Sequence, residues 1–556
     1  MNAEIKEYFH LLKGVCRAEY PSLGIAYRQL RGLLEHLCRT QMTDSSLQMT
    51  DLSARINFVS SKLGLTVTEQ NRLHTFRLTS NAVLNHRTIP SRDELLRDAK
   101  TLSFFIKRLT GEDIKRLSEH CRTRGVEEAH RRMMAGEIVN PSEHRAALHT
   151  SLRSFSPNAP KFVEIDRERR RMLEFARQVR EGIRRGCRGD LITDVINIGI
   201  GGSDMGPHAV YHALRPSDPK IRVHFLSTVD GVLLERILDV CNPLTTLVVV
   251  SSKSFGTRET LVNAAAVDQW LLDHGIVGAD RTRHMVVVSA NPDAANQMCL
   301  PEENFFHMWD WVGGRFSVWG AVGLPLALSL GPEVFQEFLQ GAAEMDRHSL
   351  STPLEKNLPA MLAMIAYWNA KSLEISAHCL LPYDERLRVI VPWLQQLEME
   401  SLGKSHAPDG NRISGRTGQA VWGANGNEGQ HSFYQWLREG TGRSSIDLIW
   451  SEMPGHRYAE HYRVLLANAR AQAEALIMRD PDNPCFNAVT TIVIDAVTPR
   501  RLGALMAMYE HKTTILGTLF GINPFDQPGV ELGKRLSRRM ERGDDPQTAI
   551  AEEFKL

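Results

Sequence analysis

The sequence predicts an α/β protein: two sandwich domains built on parallel sheets, following a helical N-terminal region. Three observations carry that prediction. The chain has 556 residues, enough for two or three domains that each bury a real core. Through its middle, short apolar runs rich in β-branched residues alternate with helical stretches, the pattern of βαβ units and of a parallel sheet covered on both faces. The same alternation returns later in the chain.

From the start to about Pro160, Leu, Arg, Glu and His recur at helical spacing with few β-branched runs, so this region is read as helical. Phe162 to Gly182 reads as an amphipathic helix. Val195 to Ile200, Val223 to Ser227, Leu247 to Ser251 and Met285 to Ser289 read as strands of a first sheet. Leu387 to Val391, Ser445 to Trp450 and Thr490 to Ile494 are strand candidates of a second, with helical stretches around Leu354 to Ser376 and His461 to Met478. The expected divisions are a helical region over 1–155, a first α/β domain over 156–325, and a second over 326–556 with a helical C-terminal tail.

Composition excludes several function classes. Lys and Arg total 66 against 65 Asp and Glu, a formal net charge of +1, so no overall field attracts nucleic acid or an acidic membrane surface. Any anionic ligand must be held locally. Cysteines 16, 38, 121, 187, 241, 299, 379 and 485 are scattered, with no C-x-x-C pair and no Cys/His cluster at zinc spacing, and are read as reduced core thiols. The N-terminus, MNAEIKEYFH, has no apolar stretch behind a basic start, and no apolar run is long enough to span a bilayer. The protein is expected to be cytoplasmic, with neither nucleic acid nor membrane as partner.

Six segments can carry chemistry. In V-I-N-I-G-I-G-G-S-D-M-G-P, Val195 to Pro207, a strand runs into glycines and then a helix, so backbone N–H groups and a helix N-terminus can face an anion. A dinucleotide fingerprint needs glycine where Asp204 stands, and a Walker loop needs lysine where Pro207 stands, so both fail. A tight turn with no ligand explains the glycines equally well. The segment Leu247 to Thr260 offers Ser252, Ser254 and Thr257 beside Lys253, suited to phosphate oxygens or simply to an N-cap.

Arg315 follows paired glycines among aromatics in Trp309 to Gly320, where it suits a developing negative charge or a packed aromatic corner with a snorkelling arginine. In Gln395 to Lys404, Glu398 and Glu400 are two residues apart and point to different faces of a helix, so at most one faces a given pocket, and a solvated face accounts for either. His431 stands among polar residues before an apolar helix. Gln527 and Lys534 lie in a glycine-punctuated stretch near the C-terminus. Residue chemistry alone reaches an α/β protein with a phosphate site.

These six segments in this order, with G-E-I-V-N-P-S-E-H-R-A-A-L-H-T-S-L-R from Gly136 to Arg153, resemble the glucose-6-phosphate isomerase family. The resemblance covers most of the chain from about Gly136 onward. It implies two sugar-isomerase (SIS-type) three-layer α/β/α domains with the active site between them, and interconversion of glucose 6-phosphate and fructose 6-phosphate without metal or cofactor. It further implies that Gly202, Ser203, Ser252, Lys253, Ser254 and Thr257 hold the substrate phosphate, with Gln527 near it, and that Arg315 and Gln396 sit beside the reacting carbons. Glu400 matches the family's base, and His431 and Lys534 match the pair that opens the sugar ring. The family also implies a homodimer in which His431 reaches the partner's site.

A proton moving between adjacent carbons through a cis-enediol suits a carboxylate, ring opening suits a histidine, and the enediol's charge suits an arginine that keeps its proton. The chain departs from the family pattern at Leu402, Gly256 and Pro528, where asparagine, threonine and tryptophan are usual. Two other readings are a non-catalytic phosphosugar-binding regulator and a broader isomerase that also accepts mannose 6-phosphate.

Overall fold

The computed structural model describes residues 111–477 and 487–545. The helical reading of the N-terminal region therefore lies largely outside the described residues, as do Cys16, Cys38 and Cys485. After the helices Gly111–Thr123 and Val126–Met134, a small antiparallel hairpin pairs β1 (Ile138–Asn140) with β2 (Arg145–Ala146).

Two parallel sheets follow. The first contains β3 (Asp194–Ile198), β4 (Arg222–Leu226), β5 (Thr246–Ser251), β6 (Met285–Ser289) and β7 (Phe305–His307), in the spatial order β4-β3-β5-β6-β7. The second contains β8 (Ala377–Pro382), β9 (Ala420–Gly423), β10 (Ser444–Ser451) and β11 (Ala488–Ile494), in the order β11-β10-β8-β9. Every pairing in both sheets is parallel. Buried β-branched side chains explain this: β5 (TLVVVS) and β6 (MVVVS) are buried at every position, as strands covered on both faces must be. Both sheets fall in one compact unit, formed by Cys121–Tyr434, Ser444–Ala473 and the chain from Ala488 on. A second unit takes Gln435–Arg443 and Glu474–Asn487 with the residues up to His120.

The expected helix from Phe162 is Phe162–Arg180, and the expected strands of the first sheet agree to within two residues at each end. One expected strand is wrong. Leu387 to Val391 is the end of a 3-10 turn followed by the helix Ile390–Gln395. In this stretch and its continuation the buried apolar residues Leu387, Ile390, Val391, Leu394 and Leu397 fall at i, i+3, i+4, i+7 and i+10, a helical period that a five-residue window cannot reveal. The strand that belongs there is β8, whose run AHCLLP is interrupted by His378 and closed by Pro382. The short edge strands β7 and β9 fall outside the strands the sequence predicts.

The Pro499–Phe520 helix, which falls in the C-terminal stretch expected to be helical, is buried over most of its length and packs on the helices Pro332–Ser351 and Leu358–Lys371. Inside this layer Arg153 is wholly buried, forked onto Asp346 at 2.7 to 3.1 Å and paired with Glu510, with Trp319 Nε1 donating to the other Glu510 oxygen at 2.8 Å. The buried Arg153 keeps its charge because Asp346 and Glu510 both pair with it. The core-thiol reading holds for Cys121, Cys241 and Cys379, whereas Cys187 is half-buried and Cys299 is exposed. Among the described residues, no helix is long and apolar enough to cross a membrane.

Candidate active site

In the first sheet β4 lies on one side of β3 and β5 on the other, so the chain reverses direction across the sheet between β3 and β5. Ligands of open α/β sheets bind at the carboxyl ends of strands at such a reversal. Both phosphate-suited segments begin there. After β3 the chain passes through a 3-10 turn, Gly201–Ser203, into the helix Met205–Leu214. Gly201 has φ +59°, and a Cβ on Gly202 would lie 2.0 Å from the Gly314 carbonyl carbon, so glycine is required for this loop to rest on the Gly313–Gly314 pair. Ser203 and Asp204 are buried, and burial pushes the Asp204 carboxyl up to about 7.

After β5, Ser252 is buried with its Oγ unpartnered among the described residues. Thr257 occupies the N-cap of the helix Arg258–Asp273, yet its side chain makes no capping bond, so capping does not account for its hydroxyl. Ser254 and Gly256 are exposed, and a Cβ at Gly256 would meet Ser254 Oγ at 3.6 Å, ordinary contact that leaves room for the threonine usual in the family. Lys253 turns differently: its Nζ donates to the carbonyls of Asp310 at 2.7 Å and Val312 at 2.8 Å. It thereby ties this loop to the turn that leads to Arg315, and burial lowers its pKa.

Arg315 is buried, which overturns the snorkelling alternative. Its Nε donates to Ser401 Oγ at 2.7 Å, Nη1 to Gln527 Oε1 at 3.0 Å, and Nη2 to the carbonyls of Pro524 at 2.6 Å and Asp526 at 3.1 Å. Nη1 also stands 3.5 Å from Glu400 Oε1. Burial lowers the Arg315 pKa against the opposing pull of Glu400, Asp526 and Glu143.

Glu400 ends a single π-helical turn, Gln396–Glu400, inserted after the helix Ile390–Gln395. Such insertions recur at functional sites. Gln396 at the start of the turn faces the phosphate-suited loop, since a Cβ on Gly201 would lie 3.0 Å from its Nε2. Gln396 Oε1 and Glu400 Oε2 are both buried without a partner among the described residues. Two residues from Glu400, Glu398 points the other way into the core and pairs with Lys512 Nζ at 2.8 Å, both side chains nearly inaccessible. The two carboxylates do face different surroundings, but Glu398 is no solvated residue.

The structure thus gathers Gly201, Gly202, Arg315, Gln396, Glu400 and Gln527 through direct approach. Among the described residues, no hydrogen bond or ion pair joins His431 or Lys534 to them. His431 is exposed at the end of the helix Gly426–Gln430, and Lys534 pairs at 2.8 Å with Glu531 on the exposed face of the helix Glu531–Glu541. Sequence reasoning missed Ser401 and Asp526, which bond Arg315 directly, and Lys404 and Asn523, which hold those two in place. Each lies within four residues of a quoted candidate, and that adjacency was the available signal. Of the family departures, Leu402 is buried beside Gly418 and fills core, and Pro528 opens a 3-10 turn after Gln527.

The family model described as phosphoglucose isomerase matches residues 103–488 and 484–554. The chain belongs to the phosphoglucose isomerase family. It is 44% identical over 454 residues to the glucose-6-phosphate isomerase of Burkholderia ambifaria (strain MC40-6), covering 78% of this chain and 84% of that protein. The glucose-6-phosphate isomerase of Paraburkholderia phytofirmans is 43% identical over 458 residues, covering 79% and 85%. Among solved structures, a glucose-6-phosphate isomerase from Chlamydia trachomatis superposes with a TM-score of 0.70 at 32% identity, covering 80% of this chain and 89% of that one. This phosphoglucose isomerase family member therefore shares its fold as well as its sequence with such enzymes.

Proposed function

We propose that the protein is an aldose-ketose isomerase that interconverts glucose 6-phosphate and fructose 6-phosphate. The observation that carries this reading is the pairing of Arg315 with Glu400 at 3.5 Å beside the glycine loop, with the second Glu400 oxygen unpartnered. A carboxylate so placed has one oxygen available for a carbon-bound proton, and the neighbouring guanidinium stabilises the enediolate that forms without giving up its own proton.

The substrate phosphate is held by Gly202, Ser203, Ser252, Lys253, Ser254 and Thr257, with Gln527 nearby. Lys253 contributes its charge while anchored to the Asp310 and Val312 carbonyls. Gln396 orients the sugar between that cradle and Glu400. Glu400 takes the proton from one carbon and returns it to the next, and His431 with Lys534 opens the ring.

Among the described residues no hydrogen bond or ion pair joins His431 or Lys534 to Glu400, and the reading includes a homodimer in which His431 completes the partner's site. It also includes domain boundaries near 155 and 325, a cytoplasmic location, and service in glycolysis and gluconeogenesis. The test is a coupled assay with fructose 6-phosphate supplied and glucose 6-phosphate detected, in the presence of EDTA. Turnover unaffected by EDTA is expected; no turnover at all, or turnover that EDTA abolishes and a divalent metal restores, refutes the mechanism.

A further inference from the structure

Lys404 stands four residues beyond Glu400, just past the end of that helix, with its side chain 12% exposed. Its Nζ donates to the carbonyls of Ser401 at 2.9 Å and Asn523 at 2.5 Å, and ion-pairs with Asp526 Oδ1 at 3.1 Å. Arg315 bridges the same two segments, bonding Ser401 on one and Pro524, Asp526 and Gln527 on the other. Asp526 is itself fixed, since Asn523 Nδ2 donates to its Oδ2 at 2.9 Å and Ser142 Oγ donates to the same oxygen. Two cations side by side therefore hold the segment bearing Glu400 against the loop bearing Gln527.

We propose that charged Lys404 is a positioning residue for Glu400, clamping its helix end to the Gln527 loop at the spacing Arg315 needs to reach both, and that loss of its proton sets an alkaline limit on activity. The proposal rests on the reading of Glu400 as base and Arg315 as the enediolate's cation. An ammonium carries three donors and here meets two carbonyls and a carboxylate. A neutral amine has two donors and a lone pair, so deprotonation leaves one nearly buried acceptor facing that lone pair, and an unmet buried acceptor is costly. The groups that face Lys404 pull in both directions. Burial and then Arg315 favour deprotonation, while Asp526 and Glu400 oppose it, and together they bring its pKa down to about 8.

The experiment compares pH profiles of kcat/KM, which report the free enzyme, for the full-length protein, Lys404→Arg and Lys404→Met with fructose 6-phosphate. The expected wild-type profile falls about tenfold per pH unit above about 8. Lys404→Arg, whose guanidinium does not titrate in this range, should move that fall upward by about one unit or more. Lys404→Met should lose about a hundredfold in kcat at neutral pH with KM changed only a few-fold, as displacement of a catalytic group does. A wild-type profile flat to pH 9.5, or an alkaline fall at the same pH in Lys404→Arg, overturns the proposal. So does a Lys404→Met enzyme with wild-type kcat. If Lys404→Met does not fold, the arginine profile decides. Glu400→Gln assayed alongside separates the two claims: wild-type activity in that variant refutes the reading of the site itself.

Discussion

Arg315 Nη1 lies 3.5 Å from Glu400 Oε1, with the arginine side chain 1% and the glutamate side chain 23% exposed. The cation is locked away on four fixed acceptors, while the glutamate side chain stays partly exposed. That asymmetry suits their proposed parts: the charge that stabilises an intermediate should not move, and the base must reach substrate.

Replacing Glu400 with Gln keeps its shape and removes the proton acceptor. Isomerisation should fall by about three orders of magnitude or more while sugar-phosphate binding persists. Ring opening should survive, so the discriminating measurement sets anomerisation against isomerisation in the same variant. Near wild-type isomerisation removes Glu400 from the role.

Glu398 is expected to matter for stability. Truncating it to Ala leaves Lys512 buried with its nearest anion gone, and breaking a buried pair from one side costs about 3–5 kcal/mol. Thermal melting should show a large loss for Glu398→Ala and a partial rescue in the double variant Glu398→Ala/Lys512→Met. A wild-type melting temperature for Glu398→Ala would contradict the buried pair.

Asp204 gives stability a pH dependence of definite sign. Burial raises its carboxyl from 3.8 to about 7, so the folded state holds a proton that the unfolded chain releases. The contribution is complete below about pH 4 and is lost as pH rises through 7, on the order of 4 kcal/mol at the limit. Asp204→Asn has no such proton, so its melting temperature should gain on the wild type as pH is raised from 4.5 to 7.5. A constant difference across that range refutes the buried neutral carboxyl.

The placement of His431 predicts complementation between chains. If His431 of one subunit serves the site containing Glu400 of the other, a dimer of one Glu400→Gln chain and one His431→Ala chain has one doubly defective site and one with both residues intact. Differently tagged chains can be co-expressed and the mixed dimer purified. It should recover about half the wild-type activity per dimer, far above either parent. A mixed dimer no more active than its parents means that His431 acts in its own chain or not in catalysis.

The sequence alone determined the parallel α/β class, because strands such as Thr246–Ser251 and Met285–Ser289 are apolar at nearly every position and can exist only between two covering layers. It also determined the glycine loop and the family, since V-I-N-I-G-I-G-G-S-D-M-G-P and its five companions are local patterns whose chemistry survives being read one letter at a time. Tertiary structure decided what depends on neighbours distant in the chain. Leu387 to Val391 became a 3-10 turn and a helix start and Ala377–Pro382 a strand, because burial of a short apolar run does not reveal its period. Glu398 and Glu400, two residues apart, went to Lys512 and Arg315 because a helical turn directs residues at that spacing to different faces and only the packing supplies a partner to each. Lys404 and Arg315 came to share one clamp because the chain folds Asn523–Gln527 back onto Ser401, a closure of more than a hundred residues that no local pattern encodes.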